Sequence, residues 1–185
     1  MSKNGIALTP HPSTRSDAVR SIQVLARRLL GTELKLTYRV DGDIGRIIVP
    51  SPCAPRIGVE LWRHTCFEAL VALEGQPSYY EFNFAPSGEW TVYAMRGYRD
   101  GAPMGDESMR PEIALRSVDA RLDLDALVRL DRLSAKHATE PLRIGLFAVI
   151  EANDGFSYWA LRHRGERPDF HDAAGFTLVI EPPGE

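Results

Sequence analysis

Three strand-like runs separated by two short turns constrain the fold of this chain more than any other feature. The runs cover residues 61–74, 79–85 and 90–95, and each four-residue break between them contains both glycine and proline. Short breaks of this composition join neighbouring antiparallel strands. The sequence therefore predicts a three-stranded antiparallel meander between residues 61 and 95.

Alternation within the runs predicts which side chains face the core. Since successive side chains of a strand point to opposite faces, one alternating set forms the core face. This set is Phe67, Ala69, Val71, Leu73, Tyr80, Phe82, Phe84, Thr91, Tyr93 and Met95. The other set mixes charged, amide and aromatic groups: Trp62, His64, Cys66, Glu68, Tyr79, Glu81, Asn83, Trp90, Val92 and Ala94. We interpret the second face either as a solvated surface or as a ligand-binding surface.

The residues of this meander resemble the central meander of the DOMON-like superfamily. The resemblance rests on residues 64–70 and on residues 79–90, which contain Tyr-Tyr-Glu-Phe-Asn and Pro-Ser-Gly-Glu-Trp. A second block, from residue 157 to residue 171, is also similar to small bacterial DOMON-like proteins. The related family 9 carbohydrate-binding modules hold sugar between two tryptophans. The resemblance implies an all-β, antiparallel sandwich of jelly-roll or immunoglobulin-like architecture with little helix.

The rest of the chain supplies enough further strands to complete such a sandwich. Residues 16–29 fit both helical and strand periodicity, and we favour a strand from residue 21 because the resemblance implies one. Residues 127–138 are predicted to form one or two helical turns, and residues 97–111 an irregular lid. The other strand candidates are residues 5–9, 33–40, 44–49, 113–117, 120–127, 142–151, 156–161 and 176–180. We predict one domain over residues 1–185.

Composition limits the classes of partner. The 185 residues are 44% hydrophobic and 25% charged, with a net charge of −3, which is not the basic balance of a nucleic-acid-binding surface. No run approaches the ~20 apolar residues of a membrane span, and the first residues do not resemble a signal peptide. Two cysteines, Cys53 and Cys66, do not make a disulfide framework. We therefore expect a cytoplasmic protein with no nucleic-acid or membrane partner.

Three tryptophans are candidates for stacking on a sugar ring. An exposed indole covers the flat C–H face of a sugar, as in many carbohydrate sites. Trp62 is the strongest candidate, because it precedes the meander beside His64 and follows a proline-rich loop. Trp90 follows a turn and is a candidate rim residue. Trp159 alternates in a strand and is more typical of a core residue, although it remains among the ligand-binding candidates.

Polar side chains of the meander are candidates for binding ligand hydroxyls. Glu68, Glu81 and Asn83 share the polar face of adjacent strands, where they either hydrogen-bond a ligand or are solvated. Arg96, Tyr98 and Arg99 follow the third strand, and the planar guanidinium suits a carboxylate, a phosphate or vicinal hydroxyls. An ordinary ion pair with Glu81 or Asp100 is an equally good interpretation of the arginines. The alternation predicts a common site of Trp62, His64 and Arg96, with Tyr98 and Trp159 nearby.

Three residues near the C-terminal end complete the ligand-binding candidates. They are His163, Asp169 and His171, whose imidazole and carboxylate groups also suit zinc or iron. A loop-stabilising role is the better interpretation, because no His-x-x-x-His pair occurs. No metal, haem or other cofactor is predicted.

Two function classes, and a third without a ligand, remain open at this point. No nucleophile elbow, glycine-rich phosphate loop or metalloprotease helix motif occurs in the sequence. We therefore favour a non-catalytic domain that binds a small polar ligand, for which the resemblance suggests a carbohydrate or sugar-like metabolite. The alternative is an enzyme that acts on a small metabolite through His64, Glu68 and the loop of His163 and His171. The third is a structural or interaction module.

Overall fold

Twelve antiparallel strands and one short α-helix make up the described part of the chain. The computed structural model describes residues 5–14, 16–29 and 32–183. The strands are β1 Ile6–Pro10, β2 Val19–Arg28, β3 Glu33–Gly42, β4 Cys66–Leu73, β5 Tyr79–Phe84, β6 Trp90–Gly97, β7 Asp100–Pro103, β8 Glu112–Val118, β9 Arg121–Arg129, β10 Leu142–Ala152, β11 Gly155–Ala160 and β12 Leu178–Ile180. The helix is α1, Ala135–Thr139, and Ser134 caps its N-terminus. The prediction of an all-β sandwich with little helix is confirmed.

The strands form two sheets, which we call the front sheet and the back sheet. The front sheet has the strand order β7-β6-β5-β4-β10-β11, with β12 on β10, and the back sheet has the order β2-β3-β9-β8. Strand β1 pairs with β11 near its end and with β2 near its start, so it connects the two sheets. The terminal strands of the strand order, β7 and β8, do not pair with each other, so the two sheets do not close into a barrel.

Alternating apolar residues on the two inner faces build the core. Strand β3 buries Leu34, Leu36, Tyr38 and Val40 in strict alternation, as predicted for residues 33–40. From the front sheet, Phe67 packs against the Tyr38 ring with centroids 5.1 Å apart. The Tyr38 hydroxyl donates a 2.7 Å hydrogen bond to the backbone oxygen of Glu68. Because the buried Tyr38 hydroxyl has a hydrogen-bond partner, its burial costs little free energy. The same hydrogen bond holds β4, the strand that carries Glu68, against the back sheet.

The register of the meander corrects the predicted face of its third strand. Trp90 pairs with Phe84 and Val92 pairs with Phe82, so both face the core. The prediction that Thr91, Tyr93 and Met95 face the core was therefore wrong. The turn length caused the error, because adding or removing one turn residue exchanges the two faces of the next strand.

Three other segments differ from their predictions. Residues 44–49 contain a 3₁₀ turn, Ile44–Arg46, and one isolated bridge at Ile47 instead of a strand. The first meander strand begins at Cys66, because residues 61–63 form a 3₁₀ turn. The predicted lid over residues 97–111 is partly a hairpin of β6 and β7. Among the described residues, no helix has the length and apolar character needed to cross a bilayer.

Candidate functional site

A cavity of about 370 Å³ lies on the outer face of the front sheet. Its floor consists of outward-facing side chains of five neighbouring strands: Glu68, Glu81, Tyr93, Met95, Val149 and Tyr158. Its walls come from three connections between strands: Trp62, Arg99, Pro168, Phe170 and His171. The floor is rigid because each of its central strands is hydrogen-bonded on both sides.

Glu68 is the most unusual group on the floor. Its side chain is buried, with only 4% of the residue exposed, and its Oε1 atom has no hydrogen-bond partner. Burial raises the pKa of the Glu68 carboxyl well above its ordinary value, and the nearby charge of Glu81 raises it further. Burial thus favours the neutral acid, which offers an O–H donor and an acceptor to a molecule in the cavity.

Glu81 is the second carboxyl of the floor and is better satisfied than Glu68. Asn83 donates a 2.7 Å hydrogen bond from Nδ2 to Oε1 of Glu81. Burial raises the pKa of Glu81, whereas this hydrogen bond and the charge of Arg99 lower it. Glu68 pairs directly with Asn83, so Glu68 and Glu81 are diagonal neighbours on adjacent strands. The two carboxyls therefore act as one electrostatic unit.

His171 faces this carboxyl pair from the segment between β11 and β12. Its Nδ1 lies 2.8 Å from the Tyr79 hydroxyl, and its Nε2 lies 3.8 Å from Oε2 of Glu81. Burial lowers the pKa of His171 to about 4, and the positive charge of Arg99 contributes in the same direction. In the neutral tautomer whose Nδ1 accepts from the Tyr79 hydroxyl, the ring proton is on Nε2, toward Glu81.

Arg99 and Asp169 join the β6–β7 turn to the segment of residues 161–177. Nη2 of Arg99 lies 3.0 Å from Oδ1 of Asp169, and the Tyr98 hydroxyl donates to Oδ2 at 2.9 Å. Asp169 also accepts a bond from the backbone N–H of His171. Arg99 has a φ of 53°, a left-handed conformation that a non-glycine residue adopts at some cost. We call the contacts of Tyr98 and Arg99 with Asp169 the Arg99–Asp169 clasp.

Aromatic rings form the apolar part of the cavity wall. Trp62 is 44% exposed, and the Arg63 guanidinium lies 5.3 Å from its ring centroid. In the same lining, Phe170 stacks on Phe147 with centroids 4.5 Å apart and meets Tyr158 edge-on. An exposed indole together with packed rings provides flat surface for a ring-shaped ligand.

Eight of the thirteen candidate residues lie at the cavity or directly behind its lining. Trp62, Glu68, Glu81, Arg99 and His171 line it. Asn83 and Asp169 hold lining residues in place through the hydrogen bonds described above, and Tyr98 donates to Asp169.

Two candidate tryptophans are core residues and have no surface for a ligand. Trp90 is 1% exposed, and it faces inward because of the register of β6. Trp159 is 4% exposed, pairs with Ala148 and donates from Nε1 to Ser157 Oγ at 2.9 Å. The interpretation of Trp90 as a rim residue was therefore wrong, and Trp159 occupies the core position that its strand alternation indicated.

Three polar candidates lie away from the cavity. His64 Nδ1 lies 2.8 Å from Oε2 of Glu151, and its side chain is 65% exposed. Arg96 forms an exposed ion pair with Asp100, and the ring of His163 contacts the backbone oxygen of Thr9. The predicted common site of Trp62, His64 and Arg96 does not form, because Trp62 is not in a strand and Arg96 sits at an irregularity of β6.

Sequence reasoning missed six lining residues. They are Tyr93, Met95, Val149, Tyr158, Pro168 and Phe170. Correct counting of the turn before β6 would have found Tyr93 and Met95. The others approach the meander from distant parts of the chain, and no local pattern marks them.

The described residues contain no group of three or more His, Cys, Asp or Glu side chains that could hold a metal ion. We predict that purified protein contains no stoichiometric zinc, iron or haem. Elemental analysis and an absorption spectrum test this prediction. About one metal per chain, lost in a His163→Ala/His171→Ala variant, would contradict it.

Comparisons with known proteins identify a structural neighbour but no family. No family model matches the chain, and no curated protein matches it significantly. The fold is similar to the crystal structure of a "putative carbohydrate-binding protein" from Bacteroides uniformis, with a TM-score of 0.59 and 17% sequence identity. The match covers 93% of this chain and 84% of that chain. At this identity the similarity shows the fold, a sandwich also found in a protein described as carbohydrate-binding.

Proposed function

We propose that this cavity binds a small polar ligand, a carbohydrate or a sugar-like metabolite, without transforming it. The observation that carries the proposal is the buried Glu68 carboxyl, whose Oε1 lacks a partner at the cavity floor. A buried polar group without a hydrogen bond costs free energy, which a ligand hydroxyl recovers by bonding to it.

The lining combines the two kinds of contact that a sugar needs. Glu68 and Glu81 present carboxyl oxygens to hydroxyl groups, and a neutral carboxyl both donates and accepts. Trp62 presents its exposed face to the C–H surface of a ring. The cavity volume of about 370 Å³ is near the lower end of the ~300–1,000 Å³ typical of small-molecule sites, which suits a ligand of about one ring.

Replacement of Trp62 tests this site. In a thermal-shift screen, a carbohydrate present at ~100 times its Kd stabilises the wild type by about 2.7 kcal/mol. We expect Trp62→Ala to weaken Kd at least ~10-fold, which removes about 1.4 kcal/mol of that gain, because the stacking surface is lost. Since Trp62 is 44% exposed, the stability of the free protein should change by less than ~1 kcal/mol.

His64→Ala is the matched control for Trp62→Ala. His64 lies two residues away, but its ring contacts Glu151 and does not line the cavity. We expect His64→Ala to keep the ligand-induced shift. An equal loss in both variants, or an unchanged shift in Trp62→Ala, would contradict the proposed site.

A second candidate function, an enzyme acting on a small metabolite, has one observation in its favour. The pKa of each of the two floor carboxyls is raised, and a histidine lies close to Glu81. Pairs of titratable groups of this kind supply a general acid and a general base. The 3.8 Å separation of Glu81 and His171 exceeds hydrogen-bond reach, and the Trp62 side of the cavity is open to solvent, which favours binding over catalysis. NMR can follow whether the protein converts a bound ligand. Conversion by the wild type that is lost in Glu81→Gln would favour the enzyme.

We further propose membership of the DOMON-like superfamily, one domain over residues 1–185 and a cytoplasmic location. The support for membership is the resemblance of residues 64–70 and 79–90. The support for one domain is the 93% of the chain covered by the match to a single solved structure. The location rests on the sequence pattern alone.

A further inference from the structure

We infer that the ligand of this cavity carries an amino group, which binds as a cation between Glu68 and Glu81. This inference rests on the proposed function and narrows its ligand from any polar ring to an amine-bearing one, such as an amino sugar. It follows from the distribution of charge around the cavity floor.

The two floor carboxyls have no committed cationic partner among the described residues. Glu68 forms no salt bridge, and the single ion-pair contact of Glu81 is with His171 at 3.8 Å. The pKa of His171 is lowered to about 4, so this imidazole is uncharged near pH 7. Arg99 lines the cavity, but the clasp engages its guanidinium with Asp169. Two acids therefore share one cavity without a protein cation assigned to them.

The other titratable groups near the floor add no positive charge. From β4 and β3, Cys66 and Tyr38 are buried, and burial raises the pKa of both groups. From β6 and β5, Tyr93 and Tyr79 are likewise shifted toward the neutral form by burial. The β11 strand contributes only Tyr158. Burial therefore favours the neutral form of the Cys66, Tyr38, Tyr93 and Tyr79 side chains, and none of them compensates a carboxylate.

The geometry suits an ammonium group in two respects. An ammonium has three donors and no acceptor, and the floor offers it the carboxyl of Glu68, whose buried Oε1 has no partner, and the Oε2 of Glu81. The Asn83 amide donates its hydrogen bond to Oε1 of Glu81 and not to Oε2. The rings of Trp62, Tyr93, Tyr158 and Phe170 line the same cavity, and aromatic faces attract cations.

Proton balance gives this arrangement a measurable signature. Since burial and mutual repulsion favour protonation of the empty carboxyl pair, a cation that enters must displace a proton to solution. Amine binding therefore strengthens as pH rises from ~5 to ~7, while the amine itself stays charged. A neutral hydroxyl ligand that uses the Glu68 proton shows no such gain.

A matched ligand panel tests the inference by isothermal titration calorimetry on the full chain. The panel contains glucosamine, galactosamine and mannosamine with their parent hexoses and N-acetyl forms, and cyclohexylamine with cyclohexanol. We expect at least one amine to bind ~10-fold or more tightly than its hydroxyl and acetylated or neutral analogues. Its affinity should rise between pH ~5 and ~7, with proton release seen in buffers of different ionisation enthalpy.

Glu68→Gln supplies the matched variant, because it keeps size and hydrogen bonding while removing the charge. We expect a loss of ~10-fold or more for the amine and a change below ~3-fold for the neutral analogue. Glu151→Gln, on the same sheet but paired with His64 outside the cavity, should leave both affinities unchanged.

The outcomes separate this inference from the proposed function. Hexoses that bind as well as the corresponding amines, with no rise in affinity at higher pH, would overturn the inference and leave carbohydrate binding intact. Amine binding that is insensitive to Glu68→Gln would also overturn it. If no member of the panel binds, both the inference and the proposed carbohydrate site fail.

Discussion

Phe82→Ala is expected to lower the free energy of unfolding by about 3–5 kcal/mol. Phe82 is 1% exposed and pairs with Ala69 and Val92 on the inner face of the front sheet. Its ring lies nearly parallel to that of Phe84, with centroids 6.1 Å apart. Alanine would leave a cavity at the centre of the sandwich that these neighbours fill only in part. Urea denaturation at pH 7 measures the loss.

Phe156→Ala is the matched control for the core substitution. Phe156 belongs to the same sheet but is 38% exposed, so its truncation should cost less than ~1 kcal/mol. A denaturation midpoint unchanged in Phe82→Ala, or equal losses in the two variants, would contradict the strand register that places Phe82 between the sheets.

His171 is expected to make stability fall as the solution is acidified from pH ~6.5 to ~4. Its folded pKa of about 4 lies below the ~6.5 of an unfolded chain, so the unfolded state binds more protons within that window. Stability from this group is therefore present above pH ~6.5 and lost as pH falls toward 4. Since the site is partly open to solvent, we expect about 2 kcal/mol of pH-dependent stability.

The difference between wild type and His171→Gln isolates this contribution. Glu68 and Glu81 act in the opposite direction, because a raised carboxyl pKa adds stability as pH falls. These two contributions cancel when the variant is subtracted from the wild type at each pH. A His171→Gln profile parallel to that of the wild type would show that His171 is not held neutral by the fold.

Strand alternation predicted the core-facing residues correctly within a single uninterrupted strand. Phe67 and Phe82 face inward as expected, because each lies in an uninterrupted run whose polar partners, Glu68 and Glu81, alternate with it. The alternation did not transfer across the turn before Trp90. The composition of a turn does not determine the register of the two strands that it joins. Which side chains of the second strand face the core therefore depends on how its backbone pairs with the first strand.

The candidate site was predictable only in part. Trp62 and His171 of its walls were candidates because of their residue types and their places in the sequence. Glu68 and Glu81 were found because they lie on the polar face of a recognisable meander. Arg99 and Phe170 belong to connections whose positions depend on tertiary contacts, the clasp for one and the Phe147 stack for the other. Such contacts join residues far apart in the chain and leave no periodic signal.

The site consists of a floor on paired strands and a wall that is held in place by the side-chain contacts of the Arg99–Asp169 clasp. These two parts can change independently during evolution. The floor lies on strands paired on both sides, where an insertion would shift the register of the neighbouring strands. The wall of residues 161–177 is attached to the β6–β7 turn by side chains of Tyr98, Arg99 and Asp169. Loop segments tolerate insertions and substitutions far better than paired strands. Related proteins can therefore acquire new ligand preferences by exchanging the wall while they inherit the same carboxyl floor.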